Sequence, residues 1–281
     1  MRFGLDVPTT GEFADARAQA ELAAEAEAAG WDGYFVWDIL LGHEADIPVA
    51  DPWVTLTAVA LATTRMRVGT LATPLARQRP WLVARQIATL DHLSSVRVTL
   101  TVGLGFNPRD FAAFGEPADP ATRASALDES LPILAALLTG ASVTHQGQRY
   151  TLNDVTLSPA PVQSPRVPLW LAGGWPHEAP FRRAARWDGV CVKSRSQATG
   201  GPLSVEDFAA CVAFTLTRRA EMGIAAPFDI IASGESPHDP VQAGAAIRPY
   251  RDAGATWWIE EGLGWTFAEF RARIQAGPPR V

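Results

Sequence analysis

Few residues in this 281-residue chain combine the types and spacing that chemistry needs. Ala172-Gly173-Gly174-Trp175-Pro176 follows an apolar run and precedes a helical stretch. Glycines there let backbone N–H groups converge on a phosphate at a helix N-terminus, or simply make a tight turn. Gly103-Leu104-Gly105-Phe106-Asn107-Pro108 carries a lone GxG. It allows close backbone approach to a planar ring, or a glycine turn; Asn107 either bonds a ring edge or caps that turn. Trp37-Asp38 offers a carboxylate beside an indole, facing a cavity or bonded to nearby backbone amides. Lys193 is the only lysine; it is a Schiff-base candidate or the foot of a solvated loop. The five histidines show neither HxH nor HExxH spacing, and no GxSxG occurs. A metal hydrolase has only Asp38, His43, His177 and Glu260 to draw on, so no metal site is assigned.

The elements that must position these groups alternate. Short apolar runs at Phe3–Val7, Gly33–Trp37, Met66–Leu71, Arg97–Gly103, Leu169–Ala172, Gly189–Val192, Phe228–Ser233 and Thr256–Glu260 read as strands covered on both faces. Helices between them force crossovers and so a parallel sheet. Asp51-Pro52, Asp119-Pro120 and Asp239-Pro240 place a capping acceptor before a proline at the first helical position. Ser204 with Asp207, and Thr266 with Glu269, resemble capping boxes. Eight βα units predict a single (β/α)₈ TIM barrel over residues 1–281. A doubly wound sheet is the alternative, but Val7-Pro8-Thr9-Thr10-Gly11 is no dinucleotide fingerprint. Residues 142–168 break the alternation. They read as a short hairpin insertion between the fourth helix and the fifth strand, turning at Gln146-Gly147 and led on by prolines. In a barrel, the active site gathers at the carboxyl ends of the strands, where the segments above fall.

Composition narrows the class. Apolar residues make up 47% and charged residues 19%, which suits a large core. A net charge of −6 with no basic run speaks against nucleic acid and anionic membranes as partners. There is no leader pattern at the start and no 18-residue apolar run. Cys191 and Cys211 form no framework, so a reduced, cytoplasmic setting is expected. Twenty-three of 24 basic residues are arginine, which points to GC-rich coding DNA.

In order along the chain, Gly30–Asp38, Arg67–Pro74, Arg79–Arg85, Leu90–Ser94, Gly103–Gly105, Phe111–Glu116, Leu127–Glu129 and Val167–Gly174 resemble the bacterial luciferase-like flavin or deazaflavin oxidoreductases. The tail Gly254–Glu260 resembles a compact actinobacterial branch. The resemblance implies a barrel that binds FMN or the 8-hydroxy-5-deazaflavin coenzyme (F-420) at its carboxyl face. It implies a bulge under the ring at Leu71, Ala72 and Thr73, often with a cis peptide, here Leu71–Ala72. Gly103, Gly105, Asn107, Ala172, Gly173, Gly174 and Trp175 complete the implied cofactor site, with Asp38 and Trp37 as catalytic candidates. An aromatic, apolar substrate pocket of Trp37, Trp175 and Trp265 is expected, and a homodimer by analogy. Two departures stand out. Ile39 follows Asp38 where deazaflavin-dependent relatives often carry histidine, and Phe106 stands where some sugar-phosphate dehydrogenases place glutamate. The reactions implied are hydride transfer to, or monooxygenation of, a small organic substrate. The rival reading is a non-catalytic flavin-binding or interaction protein.

Overall fold

The computed structural model describes residues 1–42, 46–194 and 203–281. Strands and helices alternate from the start: β1 (Arg2–Val7), α1 (Ala16–Ala29), β2 (Gly33–Val36), α2 (Pro52–Ala62), β3 (Arg67–Thr70), β4 (Thr73–Pro74) and α3 (Pro80–Ser94). Then come β5 (Leu100–Gly103), α4 (Arg109–Ala112), α5 (Pro120–Leu137), β6 (Val143–Gln146) and β7 (Thr151–Val155). The last third is β8 (Leu169–Trp175), α6 (Glu178–Ala184), β9 (Gly189–Ser194), α7 (Val205–Glu221), β10 (Asp229–Gly234), α8 (Pro240–Asp252), β11 (Trp257–Glu261) and α9 (Phe267–Gln275).

Nine strands form one parallel sheet in the order β3-β2-β1-β11-β10-β9-β8-β5-β4. β3 pairs with β2, whereas β4 pairs with β5. The two pieces therefore make one barrel position, interrupted at Leu71–Ala72, where the peptide bond is cis. A parallel bridge between Val68 and Val98 closes the ring. The result is a (β/α)₈ barrel, as the alternation predicts.

Local chemistry explains the helix starts. Asp51 accepts from the amides of Trp53 and Val54, Asp119 from Thr122, and Asp239 from Val241 and Gln242. Each precedes a proline whose missing N–H costs nothing at that position. Thr266 and Glu269 complete a reciprocal capping box, and the Ser204 side chain accepts from Asp207 N. β6 and β7 pair antiparallel. Glu129 of α5 accepts from the amides of Arg149 and Tyr150, tying that hairpin to the barrel.

Two cores result. The larger lies between strands and helices and includes Leu5, Val7, Val36 and Leu134. The smaller plugs the barrel: Phe35, Trp170, Cys191, Ile231, Trp257 and Ile259, with Leu71 at its edge. Trp170 and Trp257 meet edge-on at 5.5 Å between centroids. The Arg2 guanidinium covers the Trp257 ring from 5.1 Å. These large rings fill the barrel interior, and a cleft opens above them at the carboxyl face.

At the amino face lies a depression of about 620 Å³ lined by Arg2, Arg65, Arg67 and Arg97. It is a structural feature. Arg97 donates to the carbonyls of Ser94, Met66, Ala60 and Thr63, so its guanidinium staples β3 to α2 and α3.

Candidate active site

The carboxyl-face cleft holds about 580 Å³, within the range of small-molecule sites. Its lining includes Trp37, Asp38, Leu71, Ala72, Gly103, Gly105, Asn107, Ala172, Gly173 and Gly174, ten of the twelve residues expected from sequence.

One side is a wall of backbone and small side chains. A Cβ on Gly103 would lie 3.6 Å from Ala172 Cβ and 3.7 Å from Ala72 Cβ. Three neighbouring strands thus bring their smallest residues to one level, and a flat ring can approach without meeting a branch. Gly105, at φ 85°, makes the turn that follows. Its backbone conformation is one that L side chains rarely adopt. Phe106, 68% exposed, stands at the rim as a largely uncovered apolar side chain.

Asp38 enters from the end of β2. It is buried, yet it is not bonded to local amides. Its Oδ1 accepts from Arg77 Nη2 at 2.7 Å, and Oδ2 makes no hydrogen bond of ordinary geometry among the described residues. Arg77 also donates through Nη1 to Asp110 at 3.1 Å. Asp110 takes the amides of Leu40 and Leu41, both at 3.1 Å. One guanidinium therefore locks the loop after β2 to the start of α4. Burial raises the Asp38 carboxyl above its ordinary range, opposed by Arg77 and Thr73.

Across the cleft lies a second charged group. Lys193 at the end of β9 reaches Asp6 of β1 at 3.2 Å and also bonds Glu261 of β11. Asp6 and Glu261 are direct register partners on neighbouring strands. Asp6 Oδ1 is buried and makes no hydrogen bond of ordinary geometry among the described residues. Burial pushes the Asp6 carboxyl up to about 7, and neighbouring Glu261 adds to the shift while Lys193 opposes it. Burial works against the Lys193 charge, but Glu261 and Asp6 outweigh it and hold the amine well above its usual range. A Schiff base needs a free amine, so this lysine is an ion-pair partner and not a nucleophile.

Several expectations need correction. The strand β8 runs through Gly173 and Gly174, which pair with Val192 and Lys193. They are wall, not turn. The helix that follows, α6, has only seven residues and opens on an acidic side chain, Glu178. This is poor ground for an anion. Trp175 turns away from the cleft onto Phe181 at 5.5 Å and Phe214 at 6.0 Å. Trp265 stacks on His238, so Trp37 is the tryptophan that lines the cleft. Thr73 is fully buried and bonds Thr70 Oγ1 at 2.9 Å, behind the lining. Asn107 accepts from Arg109 N at 3.0 Å, the turn cap of its two readings.

Glu260 does not face the cleft. Its carboxylate bonds Ser236, Trp258 and Arg273 in the outer layer. His177 is an exposed N-cap position, and His43 lies outside the described residues. The four-residue metal reading therefore loses its geometry. Sequence reasoning missed Asp6, Arg77, Asp110 and Glu261. A carboxylate at alternate, inward-facing register in an apolar strand was the available signal for Asp6.

The architecture matches solved structures along its length. A monooxygenase from Streptomyces bottropensis superposes with a TM-score of 0.82 over 98% of this chain and 97% of that one, at 19% identity. In sequence, the chain is 36% identical over 149 residues to an uncharacterized protein of Mycobacterium tuberculosis strain H37Rv, covering 53% of this chain and 51% of that one. It is 38% identical over 159 residues to an F420-dependent glucose-6-phosphate dehydrogenase of Beutenbergia cavernae, covering 54% and 45%. The chain thus spans about half the length of these curated relatives. The model of the luciferase-like monooxygenases matches residues 1–199, the part that builds the flat wall and the Asp38–Arg77–Asp110 lock, and the chain belongs to that family.

Proposed function

We propose that the chain is an oxidoreductase that binds the deazaflavin coenzyme or FMN in the carboxyl-face cleft and acts on a small organic substrate. The observation that supports this reading is the wall of small residues at Ala72, Gly103 and Ala172 lining the cleft, into which a larger side chain at Gly103 would project. When bound, such a cofactor supplies hydride transfer or, as a reduced flavin, oxygen activation.

The chain's own residues do the rest. Leu71, Ala72, Gly103 and Ala172 hold the ring plane, with Gly173 and Gly174 continuing the same wall. Asp38, kept in place by Arg77, presents its carboxyl at the cleft. Trp37 lines the apolar side, and Phe106 offers an apolar surface to a ligand at the rim. Between the two cofactors, the name of the Beutenbergia cavernae relative favours the deazaflavin. The absence of histidine at Ile39 and of glutamate at Phe106 leaves the proton-handling to other groups.

The test is a binding titration of the full chain with FMN and with the deazaflavin, each oxidised and reduced, followed by Gly103→Val. One of the cofactors should bind at micromolar concentration or below, and Gly103→Val should weaken it by tenfold or more, about 1.4 kcal/mol. Failure of both to bind refutes the reading.

A further inference from the structure

We infer that the Asp6–Lys193–Glu261 group is the substrate-recognition device of the cleft: a carboxylic acid that keeps its proton, donates it to a neutral carbonyl or hydroxyl oxygen, and turns away anionic substrates. This rests on the proposed oxidoreductase function and names the class of substrate.

The charge count carries the inference. Two carboxylates stand at the same register on adjacent strands, and a single ammonium bridges them. If both carboxylates ionise, the buried cluster is left with an uncompensated negative charge. Burial penalises that state heavily, and holding one proton relieves it. The proton belongs on Asp6. Its Oδ2 takes Lys193, while its buried Oδ1 makes no hydrogen bond of ordinary geometry among the described residues and Asp6 lines the cleft. Two other titratable groups stand near the cluster: Cys191 is raised to about 12 by burial and stays neutral, and Glu235, just past β10 and acting on Glu261 through charge, is itself raised by burial. Trp37 adds no charge, but its indole N–H favours the Asp6 carboxylate and opposes the shift without outweighing burial.

Lys193 is equally telling. In an open site a lone lysine would attract a phosphate or carboxylate. Here its charge is already matched by Glu261 and shared with Asp6. An incoming anion would meet an acidic cluster, not a free cation. A neutral oxygen at Oδ1 instead gains a hydrogen bond that the protein leaves unmade. If the proton transfers, the Oδ1–H bond breaks and an O–H bond forms on the substrate oxygen. The carboxylate left behind stays against Lys193.

Infrared titration of the cofactor-free full chain tests the proton. A carboxylic-acid C=O band should disappear with a midpoint at about 7. Asp6→Asn should remove it, and Glu261→Gln should lower its midpoint by on the order of one to two pH units. Absence of such a band, or a band indifferent to both substitutions, overturns the inference. If Asp6→Asn does not fold, the shift in Glu261→Gln decides.

Binding of two probes by saturation-transfer NMR tests the substrate class. Cyclohexanone should bind at least about tenfold more tightly than 4-oxocyclohexanecarboxylate, and raising the pH through the midpoint should weaken it. Equal or tighter binding of the carboxylate overturns it. A chain that shows the band but binds neither cofactor refutes the proposed function, not the proton holder.

Discussion

Replacing Arg77 with methionine isolates the cation that holds the loop after β2 against α4. Methionine keeps an unbranched apolar stem and removes the charge. Arg77, Asp38 and Asp110 have side chains 4%, 2% and 3% exposed, so water cannot take over for the lost guanidinium. Removing one partner of a buried pair costs about 3–5 kcal/mol, and here a single deletion strands two carboxylates. At about 2 °C per kcal/mol for a chain of this size, melting should fall by roughly 6–10 °C near pH 8. The pH dependence gives the signature. Burial already raises the Asp38 carboxyl, and loss of Arg77 removes an opposing influence. A carboxyl raised in the folded state contributes stability at low pH and loses it as pH rises through its folded value. The deficit should therefore be smaller near pH 5 than near pH 8. Urea unfolding at both pH values, with calorimetry, measures it. Arg77→Lys should recover part of the loss, because a lysine cannot make both contacts of the fork. A deficit below about 1 kcal/mol at both pH values would refute the reasoning, since that is the scale of a hydrated surface pair.

Four further outcomes follow from the geometry. Gly103→Ala should change stability by less than about 1 kcal/mol, because its Cβ has ordinary clearances of 3.6 and 3.7 Å, yet it should weaken cofactor binding measurably. Gly69→Ala should prevent folding or cost more than about 3 kcal/mol, because its Cβ would sit 1.8 Å from Thr99 O, a backbone atom that cannot step aside. Glu260→Ala should cost about 3–5 kcal/mol by leaving Arg273 buried and unpaired, with cofactor affinity unchanged on folded protein. Asp6→Asn should flatten the fall in stability between about pH 4 and about 7, because burial raises Asp6 from 3.8 to about 7 and the folded chain then holds a proton the unfolded chain releases; an unchanged slope in urea melts would count against a protonated Asp6.

The barrel was legible because its signals are local. Apolar runs mark strands, and an aspartate before a proline marks a helix start; both depend on residues within a few positions. The cleft wall was legible for the same reason, since glycine and alanine at strand ends announce close approach. The charged groups were hidden by two features that local reading does not reach. The first is register. Reading the last strand as ending at Glu260 puts that carboxylate at the cleft mouth, whereas the strand runs to Glu261, and alternation sends the two side chains to opposite faces. Glu260 meets Arg273 in the outer layer, and Glu261 meets Lys193 in the cleft. The second is distance along the chain. Asp6 and Lys193 are 187 positions apart, and Arg77 reaches Asp38 across 39. Only barrel closure brings them together. Pairing β1 with β11 sets Asp6 beside Glu261 and turns three scattered residues into one site. The same closure explains why Trp175 misled. Continuing β8 by three residues past Ala172 carries its indole out onto Phe181 and Phe214. Its departure leaves Trp37 as the indole beside the acid groups that face Lys193. The chemistry of the cleft is therefore set as much by which strand faces which as by the residues each strand carries.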